Sequence, residues 1–224
     1  EGEVILDITA IGINYADTHQ TENSYLSPQK LPMIPGLEVT GTFEGKRYLT
    51  SASSGGYAEK VTAHKALLAP IPDSVTDEQA LCMLVQGTTA WHILKTMGHL
   101  SPGETVVVHA AAGGVGTLAI QLAKMWGAKV IAVTSTAEKN ELAKSLGADE
   151  VVDAKSSDLA AAMMAGMDDQ RSAEGVEHLQ AGNDFAGGED LDLELVVGQP
   201  GNLLGNRFGR AVQRVERLGE ARGQ

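Results

Sequence analysis

The sequence predicts an α/β fold, and one stretch in the middle of the chain predicts it most directly. A valine-rich run from Thr105 to His109 leads into a glycine-bearing segment, Ala110-Ala-Ala-Gly-Gly-Val-Gly116, and then into an amphipathic run from Thr117 to Trp126. Strand, tight loop and helix in that order are typical of a parallel sheet with helices packed against it. The alternation continues further along the chain.

Three more elements follow in the order that this fold requires. The glycine expected after a helix is Gly127, and the next seven residues, Ala128 to Thr134, have the composition of a second strand. A second helix is predicted from Glu138 to Leu146, where Gly147 ends it, and a third strand from Val151 to Lys155. The chain therefore contains one strand–helix–strand unit and the start of another.

The loop after the first of these strands fits a dinucleotide fingerprint. Its pattern, Gly-x-Gly-x-x-Gly, is matched at the last two glycines by Gly113 and Gly116, and Ala111 stands at the first. Such glycines let the backbone approach a pyrophosphate and let the helix pack closely, while the helix N-terminus offers free N–H groups. We predict a pyrophosphate site made by Ala111, Gly113, Gly114, Val115 and Gly116. The alternative is a glycine-rich turn without a ligand.

The end of the second strand indicates which nucleotide binds. Proteins that bind NAD usually carry an acid there, roughly 20 residues past the glycines, for the ribose 2′-hydroxyl. Here the segment is Val133-Thr-Ser-Thr136, without a carboxylate, and Lys139 follows one helical turn later. We predict that Ser135 bonds a 2′-phosphate and that Lys139 neutralises it, which favours NADP(H) over NAD(H). Alternatively, Ser135 caps the following helix in a capping box with Glu138.

Several motifs together resemble one known family. They are Val108-His-Ala-Ala-Ala-Gly-Gly-Val-Gly116, Gln86-Gly-Thr-Thr-Ala90 and Leu100-Ser-Pro-Gly-Glu-Thr105. This set is similar to the zinc-independent quinone oxidoreductase, or zeta-crystallin-like, branch of the medium-chain dehydrogenase/reductase family, from the first residues to about Asp158. The resemblance implies a GroES-like β-rich domain, a Rossmann-type domain, and NADPH-dependent hydride transfer to a quinone or activated alkene. A truncated, non-catalytic remnant and an enoyl thioester reductase of the same superfamily are the alternatives.

The resemblance also assigns two residues to the nicotinamide. The segment Gly12-Ile-Asn-Tyr-Ala-Asp17 is similar to a family motif whose asparagine lies beside the nicotinamide, which implies that role for Asn14. A family threonine near the carboxamide corresponds to Thr89. Asn14 could instead cap a turn, and Thr89 could bond the preceding helical turn. Asp17 is expected to hold loop backbone, and His19 to be solvent-exposed.

The ligand set for zinc is missing from the sequence. Zinc-dependent relatives carry a histidine just before Glu38, where this chain has Leu37, and a structural zinc site would need four cysteines. The single cysteine, Cys82, lies in an apolar helical run, so a buried packing role is expected. We therefore predict neither catalytic nor structural zinc.

The first third of the chain predicts a small β-rich domain. A strand is expected from Val4 to Ala10, and a hairpin is expected to connect Glu44–Tyr48 to Tyr57–Thr62. A helix over about residues 77 to 98, capped by Thr76 or Asp77, should lead into the nucleotide domain. Within this helix, Trp91 and His92 are expected in the core or at a domain interface.

The composition changes after the third predicted strand. Residues 1–155 contain ten lysines and one arginine, whereas residues 156–224 contain no lysine and six arginines. We expect a GroES-like domain over 1–76, clipped at its N-terminus, the first half of a Rossmann-type domain over 77–165, and an unrecognised tail over 166–224. The tail is acidic, then arginine-rich, and only Leu191 to Val197 alternates like a strand. Partial disorder is predicted for it, with a divergent but folded tail as the alternative.

Charge and composition limit the partners. With 17 basic and 29 acidic residues the net charge is −12, so neither a nucleic acid nor an anionic membrane surface is an expected partner. One cysteine among 224 residues fits a reducing compartment, and no apolar run has the length of a membrane span. We expect a cytoplasmic protein with a small-molecule substrate. Its family resemblance implies a possible homodimer.

Overall fold

The computed structural model describes residues 2–24, 30–167, 176–181 and 193–198. These residues form two compact units, of which the first runs to Thr88 and the second begins at Thr89. The division lies inside the helix that was expected to lead from one domain into the other. Within the described ranges, no helix combines the length and apolarity needed to cross a membrane.

The first unit contains an antiparallel sheet in the order β4-β1-β2-β3-β5. Its elements are β1 (Glu3–Ile11), α1 (Tyr15–Thr21), β2 (Glu38–Phe43), β3 (Lys46–Ser51), β4 (Lys60–His64) and β5 (Ala69–Pro70). Alternate positions face the core, where Leu6, Val39 and Val61 are buried together. The β-rich first unit and the predicted strand near Val4 are confirmed.

The predicted hairpin between Glu44–Tyr48 and Tyr57–Thr62 is wrong. Strand β3 instead pairs with β2, and β4 pairs with β1. A two-residue turn at Glu44 and Gly45, with φ of 50° and 74°, connects β2 and β3. Positive φ at both turn residues matches the twist of the strands, so the local pairing forms here and the later strand finds its partner elsewhere.

A continuous helical segment, Asp77–Met97, joins the two units along the chain. It comprises α2 (Asp77–Cys82), a π-helical stretch (Met83–Gly87), α3 (Thr88–Trp91) and a second π-helical stretch (His92–Met97). Thr76 Oγ1 accepts from Gln79 N at 3.2 Å, and Gln79 Oε1 accepts from Thr76 N at 3.0 Å. This capping box confirms the predicted start of the helix.

Three residues of this segment are more exposed than expected. Cys82 and His92 are exposed, and 48% of Trp91 is accessible. Ala80 and Leu81 are buried in the core of the first unit, and Ala90, Ile93 and Leu94 are buried in that of the second, whereas the three exposed residues lie on other sides of the helical segment. A packing role for Cys82 and core positions for Trp91 and His92 are therefore wrong.

The second unit contains a mixed sheet in the order β8-β7-β6-β10-β9. Its elements are β6 (Thr105–Val108), α4 (Gly114–Met125), β7 (Lys129–Thr134), α5 (Ala137–Ser145), β8 (Glu150–Asp153), α6 (Leu159–Met167), β9 (Val176–Ala181) and β10 (Leu193–Gly198). The first three strands run parallel, as the alternation of elements predicted. Strand β10 is antiparallel to β6, and β9 is antiparallel to β10.

Both faces of the parallel strands are covered. One face buries Val106 and Val130 together with residues of α4 and α5, and the other buries Val107 and Ile131 against Met163 of α6. Burial on both faces explains why these strands are almost continuously apolar in sequence. The Rossmann-type α/β arrangement predicted from the sequence is confirmed.

Two strands lie within the tail that begins at residue 166. The predicted strand from Leu191 to Val197 corresponds to β10, and β9 was not predicted. The predicted partial disorder otherwise concerns residues 168–175, 182–192 and 199–224, which lie outside the described residues. For the two strands themselves, the alternative of a folded tail is the better description.

Candidate functional site

The loop after β6 turns sharply at the carboxyl edge of the parallel strands. Ala110 adopts a φ of 47°, which non-glycine residues rarely adopt, and Ala111 is fully buried behind it. The N–H of Ala111 donates to Val133 O at 3.1 Å, and the N–H of Gly113 donates to Ala110 O at 2.8 Å. The first bond holds the loop against the end of the neighbouring strand β7, and the second closes the turn within the loop.

The two fingerprint glycines have different surroundings. A Cβ atom added to Gly116 would lie 2.5 Å from Ala110 O and 2.7 Å from Ala111 Cα, so only glycine fits between α4 and the loop. At Gly113 an added Cβ would approach Ala110 O at 3.1 Å and nothing else closer than 4 Å. Gly116 therefore serves close packing, and the side of Gly113 away from the loop is open.

The open side of the loop, at Gly113, lies next to the first turn of α4. This helix of 12 residues begins at Gly114, and its N-cap, Gly113, provides no side chain to accept the first N–H groups. Gly113 and Gly114 are exposed, and Val115 is partly exposed. Uncapped N–H groups and the helix dipole make this end attractive to an anion, so the predicted residues fit a pyrophosphate.

The end of β7 lies beside this loop and carries hydroxyl groups. Thr136, not Ser135, is the N-cap of α5, because its Oγ1 accepts from Lys139 N at 3.3 Å. The alternative that Ser135 caps this helix is therefore wrong. Ser135 is partly exposed and Lys139 is exposed, so both can reach a ligand at this edge.

The end of β8 is tied to the same edge. Ala154 N donates to Thr134 O at 2.7 Å, and Lys155 N donates to Asp153 Oδ1 at 2.9 Å. The Lys155 and Asp153 side chains are both exposed here, one with each sign of charge. Lys139 and Lys155 therefore contribute positive charge that favours a phosphate at this edge, and the negative charge of Asp153 opposes them.

A buried polar network surrounds Asn14 in the first unit. Asn14 Nδ2 donates to Glu38 Oε1 at 2.9 Å, and Gln86 Nε2 lies 3.4 Å from Asn14 Oδ1. The second carboxylate oxygen of Glu38 accepts from Val85 N at 2.9 Å. Asn14 is 8% exposed and Glu38 is 1% exposed. The Asn14 side chain is thus held by other side chains at the point where α1 begins.

Asp17 forms a second part of this network. Its Oδ2 accepts from Asn14 N at 2.8 Å and from the Tyr57 hydroxyl at 2.6 Å, as expected of a residue that holds the loop. Burial raises the pKa of Tyr57 to about 12, and the hydrogen bond to Asp17 and the charges of Asp17 and Glu38 act in the same direction. Tyr57 therefore remains a hydrogen-bond donor at neutral pH.

Of the two remaining predicted residues, His19 lies in the first unit and Thr89 in the second. Thr89 is partly buried in α3 and belongs to the second unit. The neighbouring hydroxyl of Thr88 bonds the preceding turn at Leu84 O. His19, expected to be exposed, is only partly exposed, since its ring packs edge-on against Tyr15 and its Nδ1 lies 3.0 Å from Ser24 Oγ.

Two family profiles match this chain. The profile of the alcohol dehydrogenase GroES-like domain matches residues 1–47, and that of the zinc-binding dehydrogenase matches residues 114–179. The chain belongs to the medium-chain dehydrogenase/reductase family. The second match ends within β9, so the family relationship extends past residue 158, where the motifs in the sequence end.

Individual members of the medium-chain dehydrogenase/reductase family show the same relationship. The synaptic vesicle membrane protein VAT-1 homolog of Rattus norvegicus is 33% identical over 70% of this chain and 42% of its own length. The quinone oxidoreductase of Salmonella typhimurium is 35% identical over 68% of this chain and 50% of its own length. The quinone oxidoreductase of Thermus thermophilus, solved also as a complex with NADPH, is 42% identical, with a TM-score of 0.65 over 67% of this chain and 50% of that one. The chain spans half or less of the length of these relatives.

The name of the matched zinc-binding dehydrogenase profile raises the question of a metal. Leu37 is partly buried directly before Glu38, and a leucine cannot ligate zinc. Within the part of the chain that the structure describes, no three His, Cys, Asp or Glu side chains are grouped so that they could hold a metal ion. The described residues do not fit a zinc site.

The sequence pattern alone assigns no role to three polar residues of the network around Asn14, namely Glu38, Gln86 and Tyr57. Glu38 is adjacent to Leu37, and Gln86 and Tyr57 lie within longer motifs. A charged residue in an otherwise β-branched strand, Glu38-Val-Thr-Gly41, is a signal that could have drawn attention to Glu38. Its partners lie 24 and 47 residues away, so the sequence alone could not identify them.

Proposed function

We propose that this chain binds NADP(H) at the carboxyl edge of β6 and β7 and serves a zinc-independent hydride transfer to a quinone or an activated alkene. The observation that carries the proposal is the edge itself. A glycine loop and an open helix N-terminus lie beside a strand that ends in hydroxyl groups and is followed by a lysine. The NADPH complex of the Thermus thermophilus relative supports the choice of cofactor.

Binding relies on local charge, because the chain as a whole repels anions. At a net charge of −12, long-range attraction cannot bring a phosphorylated nucleotide to the protein. The α4 N-terminus supplies N–H donors for the pyrophosphate, and Ser135 and Lys139 supply a donor and a positive charge for the 2′-phosphate. No carboxylate occupies the strand end where it would repel that phosphate.

In this proposal the residues of the chain position the nicotinamide and the substrate, and they do not activate a substrate hydroxyl as a zinc ion would. When bound, the reduced nicotinamide supplies the hydride. Asn14 and Thr89 are proposed to place the nicotinamide, and Leu37 replaces the histidine that would bind a catalytic zinc. Without a metal to polarise the substrate, the acceptor must itself be electrophilic, as quinones and activated alkenes are.

The test is a fluorescence titration of the purified chain with NADPH and with NADH. We expect tighter binding of NADPH, and Lys139→Ala should weaken NADPH binding about tenfold, the usual effect of losing a charge-assisted hydrogen bond. Ser135→Asp adds the acid used by NAD-binding proteins and should shift the preference towards NADH. Binding should be established before turnover of a quinone is compared with turnover of an enoyl thioester.

The matched control is Lys144→Ala, on the same helix. Lys144 lies in the last turn of α5, 3.5 Å from Glu141, so its removal changes the net charge equally without affecting the proposed phosphate site. Equal loss of NADPH binding in both lysine variants would contradict the site. Failure of the unmodified chain to bind either nucleotide would favour the non-catalytic alternative.

A further inference from the structure

Two buried oxygen atoms of α1 have no hydrogen-bond partner among the described residues. They are Asp17 Oδ1 and Gln20 Oε1, and the two residues are only 4% and 3% exposed. Buried carboxylate and amide oxygens are normally bonded, because each of them gives up its water on folding. Both atoms are acceptors, so they cannot bond each other and both need a partner that carries hydrogen or positive charge.

The two residues lie on one face of the helix. They are three positions apart in α1, a spacing that makes side chains neighbours on a helix surface. The other oxygen of Asp17, Oδ2, already accepts from Asn14 N at 2.8 Å and from the Tyr57 hydroxyl at 2.6 Å. The carboxylate is therefore held in one orientation, and Oδ1 is the oxygen left for a further partner.

A second buried acid adds negative charge to the same part of the first unit. Glu38 is 1% exposed, and its oxygens accept only from neutral groups, Asn14 Nδ2 and Val85 N. Asn14 thus bonds both acids, Asp17 through its backbone and Glu38 through its side chain. None of the ion pairs within the described ranges includes either acid. Buried carboxylates without a cation are unfavourable, so a positive charge bound beside them would stabilise the unit.

We propose that Asp17 Oδ1 and Gln20 Oε1 bind a monovalent alkali-metal cation, Na⁺ or K⁺, inside the first unit. Hard cations bind to oxygen, and carboxylate and amide oxygens are among their usual protein ligands. The cation gives both unpartnered acceptors a partner and offsets part of the charge of Asp17 and Glu38. The site lies within one unit and does not depend on nucleotide binding in the other.

Other occupants fit these observations less well. A buried water molecule could donate to both oxygens, but it would leave the two negative charges uncompensated. A calcium ion takes about six to eight oxygen ligands, commonly with several carboxylates among them. Within the described ranges no three His, Cys, Asp or Glu side chains are grouped to hold a metal ion, so a divalent ion is not expected.

The test is an NMR titration of the full, isotope-labelled chain with NaCl and with KCl. Tetramethylammonium chloride replaces the missing salt, so the ionic strength stays constant while its cation is too large to bind between two side chains. We expect the Gln20 side-chain NH₂ and Asn14 backbone N–H signals to shift saturably with Na⁺ or K⁺. Hydrogen exchange of the β2 N–H groups should slow about tenfold at ten times the dissociation constant, because the cation binds only the folded unit.

Two variants of Gln20 separate cation binding from a structural role. Gln20→Met removes the ligand oxygen from a side chain of similar length and should abolish the response to Na⁺ and K⁺. Gln20→Glu places a second carboxylate beside Asp17, so it should be less protected in tetramethylammonium chloride and recover in Na⁺ or K⁺, with about tenfold tighter binding. The matched control is Gln121→Glu, the same change at an exposed position of α4, which should gain no cation-specific response.

Other outcomes overturn the proposal. The absence of a saturable response to either salt in the unmodified chain would show that a water molecule or a proton satisfies the two oxygens. Equal recovery of Gln20→Glu in all three salts would show screening instead of binding, and an unchanged response in Gln20→Met would place the cation elsewhere. If Gln20→Met does not fold, the unmodified chain and Gln20→Glu decide the question.

Discussion

Gly113 and Gly116 lie three residues apart and are expected to respond differently to substitution by alanine. At Gly116 the new Cβ would meet backbone atoms 2.5 and 2.7 Å away, so α4 must shift, and the free energy of unfolding should fall by about 1–3 kcal/mol. At Gly113 the backbone has φ of −83° and ψ of 174°, which alanine adopts freely. Stability of Gly113→Ala should therefore change by less than about 1 kcal/mol.

The two alanine variants also differ in what they should do to nucleotide binding. The Cβ of Gly113→Ala would occupy the open side of the loop, where a pyrophosphate needs close approach to backbone, so NADPH affinity should fall while the fold persists. Urea unfolding and NADPH titration of both variants measure the two effects. Unchanged stability in Gly116→Ala, or unchanged NADPH affinity in Gly113→Ala, would contradict this assignment of tasks.

Tyr57 gives the first unit a dependence on alkaline pH. In the folded chain burial, followed by the bond to Asp17, raises its pKa from 10.0 to about 12. Between these values the unfolded chain has lost the Tyr57 proton and the folded chain has kept it, so the free energy of unfolding must fall as pH rises. The stabilisation is fully present below pH 10 and is lost as pH passes about 12.

Tyr57→Phe removes both the hydroxyl and its titration. We expect the variant to be less stable than the unmodified chain at pH 8–9, and the difference to shrink as pH rises from 10 towards about 12. Urea unfolding at a series of pH values measures it, and taking the difference between the two proteins cancels the titration of lysines. A difference that stays constant with pH would show that Tyr57 keeps an ordinary environment.

A single side chain, that of Thr136, caps helix α5. Thr136 accepts the Lys139 N–H at 3.3 Å, so Thr136→Ala should lower the free energy of unfolding by about 1 kcal/mol. Thr136→Ser keeps the hydroxyl and is the control, expected to be close to the unmodified chain in urea unfolding. If alanine and serine variants are equally stable, Thr136 does not cap the helix in solution.

The elements of the second unit could be predicted because their signals are local. Continuous valine-rich runs result from strands buried on both faces, and the glycines after α4 and α5 adopt φ of 79° and 104°, which few other residues tolerate. The N-cap of α5 is Thr136, one residue after the predicted alternative Ser135. Both residues carry a hydroxyl group, and only the backbone geometry decides which of them caps the helix. The fold class, in contrast, depends on many such signals that agree.

The errors concern choices made by distant parts of the chain. The run around Cys82 is apolar in sequence, but which stripe of a helix is covered depends on the sheet packed against it. The pairing of β4 with β1 joins residues that are 53 positions apart in the case of Asp7 and Lys60. For the same reason the sequence does not reveal the buried hydrogen bonds of Glu38, whose partners come from two other segments of the chain.

The second unit as a whole is distinguished by how its sheet continues beyond β6. On one side β6 adjoins the parallel strands β7 and β8, and on the other it adjoins the antiparallel pair β10 and β9. In the register, Leu195 lies opposite Val108 and Gly198 lies opposite Thr105. The short strand β6, which leads into the glycine loop, is therefore interior to the sheet and bonded along both sides.

Hydrogen exchange of the full chain tests this arrangement. Strand β10 is bonded to β6 and β9, so successive N–H groups from Leu195 to Gly198 should all exchange slowly. Among the described strands, β9 and β8 lie at the two edges, where every second N–H group lacks a strand partner, so their protection should alternate. Rapid exchange throughout β10 with slow exchange in β7 would make β6 an edge strand. The glycine loop would then follow a strand that is hydrogen-bonded on one side only, by β7.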